Sequence, residues 1–117
     1  MIEKPFYERE EFFRSIFDDM LEGIQVVSPT GQYIYVNKTA ARHGHKTVED
    51  LVGRQMNDVY PGTEQTDFYK TMLNCMRTNT TASMENRFEF EEGHGWFELH
   101  LQPIETGILI RSIDISA

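Results

Sequence analysis

His43 and His45 are the nearest approach to a metal-binding pair in this sequence, but a spacing of two puts them on different faces of any helix. No cysteine or acidic cluster completes a ligand set around them, so they read as solvated loop histidines and no metal site is expected. The lone cysteine, Cys75, has no histidine beside it in a nucleophile motif and falls within an apolar helical stripe. Its sulfur reads as small core filling. Carboxylates are plentiful, yet the runs Glu8 to Glu11 and Glu89 to Glu92 look like solvated faces. Neither a paired-carboxylate motif nor a phosphate-cradling glycine pattern is present. Glu49 or Asp50 can pair with Arg54 across the mid-chain loop, a contact that is weak when exposed. These residues point to a non-catalytic chain.

The elements that must position such groups follow from hydrophobic period. Over residues 6–21, Phe13, Ile16, Phe17, Met20 and Leu21 recur at helical spacing and make one apolar stripe. The period then changes to that of strands, with two β-rich runs flanking Ser28-Pro29-Thr30-Gly31, a turn by its proline and glycine. Asn37 can cap a short helix, "KTAARH", closed by Gly44, and Thr47 with Asp50 can cap another that ends at Gly53. Thr63 can cap a longer helix through about Arg77, with Phe68, Met72 and Cys75 on one stripe and Tyr69, Leu73 and Met76 beside it. Three strand candidates complete the chain, "SMENRFEFE", "GWFELHLQP" and "GILIRSIDI", joined by Gly93-His94-Gly95 and by Ile104-Glu105-Thr106-Gly107. This segregated order predicts an α+β fold with an antiparallel sheet.

A length of 117 residues suits one domain with a single core. Its 39% hydrophobic and 12% aromatic content is that of a chain that folds rather than one that stays disordered. A formal net charge of −8 argues against nucleic acid and anionic membrane surfaces, because both need clustered Lys and Arg. Apolar runs such as Ile108-Leu109-Ile110 are too short for a spanning helix or signal peptide. A single cysteine suits a reducing compartment, and the cytoplasm is the expected location.

The ordered series "GIQVVSPTGQYIYVNKTAA", "TVEDLVGRQMNDVYPG", "WFELHLQP" and "SIDIS", from about Leu21 to Ser116, resembles the PAS domains, sensor modules of bacterial and archaeal signalling proteins. The resemblance implies a five-stranded antiparallel sheet of order 2-1-5-4-3, with the short helices and the long helix over one face. Ligands are held between helices and sheet in such proteins. It divides the chain into an amphipathic N-terminal helix, residues 1–21, and the PAS domain, residues 22–117. It points Gln25, Val27, Tyr33, Tyr35, Phe97, Leu99, Leu101, Ile108, Ile110 and Ser112 inward, opposite Phe68 and Met72.

Met56 joins them, standing where flavin-adduct relatives carry a cysteine, so a covalent flavin adduct is not expected. Haem is not expected either, since residues 64–77 contain no histidine. The aliphatics of the inward set read as core. Gln25, Tyr33, Tyr35 and Ser112 need partners when buried, and a water or ligand can serve. Beside them the helix after Asn37 offers only Ala40 and Ala41, with Arg42 and His43 where relatives often have leucines, so a mixed pocket is expected there.

Asp114-Ile115-Ser116 resembles the Asp-Ile-Thr triplet that precedes a signalling helix in the family, which makes Asp114 and Ser116 the expected relay. Ile24, Val26, Leu109 and Ile113 face outward, to be covered by the N-terminal helix or by a second copy. The expected dimer interface is Phe13, Ile16, Phe17 and Met20 with Ile24 and Leu109. Three functions compete. The first is a sensory module that binds a small ligand or dimerises and relays its state to an output domain in the same chain, by analogy a histidine kinase. The second is a ligand-free dimerisation scaffold, and the third a small enzyme without a recognisable motif.

Overall fold

The computed structural model describes residues 6–116; residues 1–5 and 117 lie outside it, as do the side chains of residues 6–10, among them Glu8, Arg9 and Glu10 of the expected solvated face. Helix α1 (Phe6–Asp19) precedes strands β1 (Gly23–Val27) and β2 (Tyr33–Val36). The short helices α2 (Lys38–His43), α3 (Val48–Leu51) and α4 (Met56–Val59) and the longer α5 (Asp67–Thr78) follow. Strands β3 (Ala82–Phe90), β4 (Gly93–Ile104) and β5 (Gly107–Asp114) complete one antiparallel sheet of order β2-β1-β5-β4-β3. The expected sheet order is the observed one.

Local chemistry starts and stops these helices. Asn37 accepts from the Ala40 amide to open α2, and Thr47 and Asp50 form a reciprocal capping box on α3. The long helix is capped by Thr66, whose hydroxyl accepts from the Tyr69 amide, and not by Thr63 as expected. Thr63–Gln65 instead forms a 3₁₀ turn because Gly62 enters it left-handed, at φ 91°, and extended Thr66 breaks it from α5. Helix α1 stops at Asp19, short of the expected Leu21. Its end and the residue after it are held from outside: Asn37 Nδ2 donates to Phe17 O at 2.7 Å and Thr39 Oγ1 to Met20 O at 2.6 Å.

Cross-strand register puts Gln25, Ile110, Leu101 and Ala82 in one row on the helix-covered face, with Val27 and Ile108 in the next. Met72 and Cys75 of α5, Leu51 of α3 and Met56 of α4 close on that face and make one core with Val27, Tyr33, Leu101, Ile108 and Ile110. Cys75 is the small core residue its stripe implied. Gly107 is held at φ 149°, and a Cβ there would meet the Val27 carbonyl at 2.0 Å, so β5 can begin against β1 only with glycine.

Helix α1 lies beside β2 and the start of α2: Phe17 meets Tyr35 ring edge to face, centroids 6.1 Å apart, and the Lys38 amide donates to Asp18. Its stripe is largely uncovered, with Phe13 and Ile16 at 55% and 44% exposure, and Phe12, outside the expected stripe, adds to the open apolar surface at 60%. Ile24, expected in the same pairing face, is buried, which removes it from an open interface. Met20 and Leu109 are half-buried. Among the described residues no helix is long and apolar enough to cross a membrane.

Candidate functional site

The residues expected to line an interior pocket are brought together, but as packing. Val27, Tyr33, Met56, Met72, Phe97, Leu99, Leu101 and Ile110 belong to one buried cluster, with Phe68 against its edge. Burial pushes the Tyr33 phenol up, and Tyr60 adds to the rise. Gln25 shares their sheet face through its pairing with Ile110 and Val36.

Tyr35 does not join them. A bulge between Val26 and Val27 shifts the β1–β2 register, so Tyr33 pairs with Val27 while Tyr35 pairs with outward Val26. Simple alternation would have kept both tyrosines on one face; the extra residue, Ile34, turns Tyr35 toward α1. There its hydroxyl is buried without a hydrogen-bond partner among the described residues. Burial raises the phenol, Asp18 adds to this and Arg14 opposes it.

Open space lies elsewhere, in a half-open cleft of about 450 Å³ where α2, the β3–β4 hairpin tip and the end of β5 converge. Of the residues expected to line the interior pocket, only Phe97 borders it. Thr39, Arg42 and His43 come from α2 and its end, His45 from the following loop, and Phe90, Glu92, His94 and Gly95 from the hairpin. Leu21 stands at the rim, and Asp114 and Ser116 close the β5 side. The cleft borders Arg42 and His43, but it lies at the sheet's end and not beneath the helices, where the mixed pocket was expected.

Of the two histidines expected in solvent, His45 is exposed and His43 is not, and both border the cleft. His43 is half-buried, its Nδ1 2.9 Å from Ser112 Oγ and its ring 5.1 Å from that of Phe97. Burial lowers its pKa, Asp114 opposes that shift and Arg42 adds to it. His45, at φ 57°, stacks on Phe90 with ring centroids 3.5 Å apart and 11° between planes. Arg42 donates to Thr39 Oγ1 at 3.0 Å, which fixes its guanidinium along the cleft. Among the described residues no group of three His, Cys, Asp or Glu is placed to hold a metal ion. Asp50, expected opposite Arg54, is engaged chiefly by Thr47, whose backbone and side-chain bonds hold its carboxyl below the usual range.

At the exit the chain stays tied to the sheet. The Ile115 amide donates to Trp96 O at 2.9 Å, and the Trp96 amide donates to Ser116 Oγ at 2.9 Å. The Ser116 amide donates to Asp114 Oδ1, and this bond holds the Asp114 carboxyl below its usual range. Asp114 and Ser116, the expected relay, thus stand where the cleft meets the outgoing chain.

The sequence was blind to most of the cleft because its walls come from segments up to 95 residues apart, Leu21 to Ser116. The visible signal was local, namely polar Arg42 and His43 after two alanines and the glycines flanking His94.

Residues 17–117 match the family described as PAS fold. No curated protein matches the sequence. Among solved structures, the photoactive yellow protein domain of a sensor histidine kinase from Rhodospirillum centenum is similar at TM-score 0.77 and 19% identity, over 85% of this chain and 96% of that one. A PAS domain from Colwellia psychrerythraea is similar at TM-score 0.74 and 21% identity, over 92% and 98% of the two chains. A domain of a sensory box sensor histidine kinase/response regulator from Geobacter sulfurreducens gives 0.71 and 18%, over 95% and 98%. At these identities the likeness is one of fold.

Proposed function

Since the chain belongs to the PAS family by its match over residues 17–117, we propose that it is a sensory, non-catalytic module that relays its state to a C-terminal output domain. A histidine kinase is the output suggested by the similar domains. The single observation that supports the relay is the join at the exit: β5 carries Ser112, tied to His43 of α2, and two residues on carries Asp114, at the edge of the cleft. A shift of α2 thereby pulls on the strand that leads out. The mechanism is a population shift between two arrangements of α2 and β5, biased by whatever prefers one of them.

The interior residues expected to hold a ligand pack on one another, which supports placing a ligand in the cleft, bordered by Phe97 and reached by Ser112 through His43. We keep the division at residues 21 and 22 and place the module in the cytoplasm, in keeping with its lone cysteine. A net charge of −8 leaves nucleic acid and direct membrane contact out of its partners.

The test is amide exchange. Replacing Ser112 with alanine cuts the tie to His43 and is expected to speed exchange of the Ile115 amide while β3 amides keep their rates; unchanged exchange at Ile115 sinks the relay. A second reading, a ligand-free scaffold that pairs through α1, is favoured by the packed interior and by the open Phe12, Phe13 and Ile16 stripe.

A further inference from the structure

We propose that the cleft between α2, the β3–β4 hairpin tip and the end of β5 binds a small, planar nitrogen heteroaromatic of nucleobase size, stacked on its ring-lined wall. This rests on the sensory reading above and deepens it by naming a ligand class. Shape carries the first step. His45 lies flat on Phe90 at 3.5 Å, and the rings of His43 and Phe97 stand 5.1 Å apart, so four rings from separate segments border one space. Gly95 lets the Phe97 ring lie against the hairpin backbone as part of that wall, because a Cβ there would come within 2.8 Å of the ring. A flat, π-faced ligand gains stacking on such a wall, whereas a saturated one does not.

Charge carries the second step. Arg42 stands on the α2 side and Glu92 and Asp114 on the others. A simple anion would meet two carboxylates, and a simple cation would meet the guanidinium. A neutral ring with donors and acceptors along its edge can use imidazole, guanidinium and carboxylate together. The volume, about 450 Å³, is that of a small-molecule site and too small for a folded partner.

Adenine is the probe, titrated into ¹⁵N-labelled protein and followed by amide spectra. Saturable shifts at His43, His45, Gly95 and Phe97 are expected. His45→Gly removes the stacked ring and suits the left-handed backbone, and is expected to weaken binding about tenfold. Gly95→Val should abolish it, with unchanged shifts in β1 and α5 showing that the fold survives. Absence of saturable shifts up to the solubility of adenine overturns the site; saturable binding of benzoate or choline with adenine silent overturns the ligand class. Either failure is distinct from failure of the relay, which is read by Ile115 exchange in the Ser112→Ala protein and needs no ligand.

Discussion

Asn37 has no exposed surface, and its amide uses its full capacity: Oδ1 accepts from the Ile24 and Ala40 amides, and Nδ2 donates to the Phe17 and Glu22 carbonyls. One side chain thus joins α1, β1 and α2. Asn37→Ala removes a cap and strands two buried N–H groups, so a loss of roughly 2–4 kcal/mol is expected in urea unfolding; a loss under about 1 kcal/mol would contradict that account. Its capping role is legible in the sequence, whereas its hold on Phe17, 20 residues away, is not.

His43 yields a pH dependence at the same scale. Its folded pKa lies below the ordinary 6.5 because burial disfavours the charged ring. The unfolded chain therefore binds this proton more readily, and His43 contributes stability that is present above 6.5 and lost as pH falls from there through the folded value. The wild-type unfolding midpoint should drop between neutral pH and mildly acid pH, and the drop should shrink in His43→Gln. Equal drops in both proteins would assign the effect to other groups.

At the scale of elements, the β4–β5 hairpin shows how one position can govern a strand's placement. Gly107 pairs with Ile104 across the turn while its Cα faces the Val27 carbonyl, so β5 cannot seat on β1 with a side chain there. Gly107→Ala combines that clash with a φ that disfavours any Cβ, and a cost of about 2 kcal/mol or more is expected in denaturant unfolding. Gly53→Ala, which meets nothing within 4 Å but shares a positive φ, should cost less, and parity between the two would dismiss the clash. The turn was readable from its composition. The bulge in the neighbouring hairpin was not, since nothing in "YIYV" marks Ile34 as the extra residue that sends Tyr35 to the other face.

For the whole molecule, an acidic single-core body presents an apolar stripe on α1, where Phe12, Phe13 and Ile16 are each more than two-fifths exposed. Such a patch is costly to leave in water, and pairing of two copies through it is the expected state. Sedimentation should find a dimer for the wild type and a monomer for the Phe13→Glu, Ile16→Glu double variant. The unfolding midpoint of that monomer should fall only by the dimer's concentration-dependent share, because the replaced side chains lie outside the core. A monomeric wild type, or a double variant that stays dimeric, excludes the stripe as the interface.

Most element types, the caps of α2 and α3 and the sheet class were determined by the sequence alone. They depend on period 2 or 3.6, on turn residues and on hydroxyl or amide caps a few positions away, all of which act within a short window. The resemblance carried by four ordered stretches added the strand order. Only the tertiary structure decided which face Tyr35 takes, which threonine caps α5, and where the open space lies. Those outcomes rest on strand register and on contacts between distant segments, such as His43 with Ser112 or Gly107 with Val27. The competing arrangements look alike to any local pattern, and packing alone separates them.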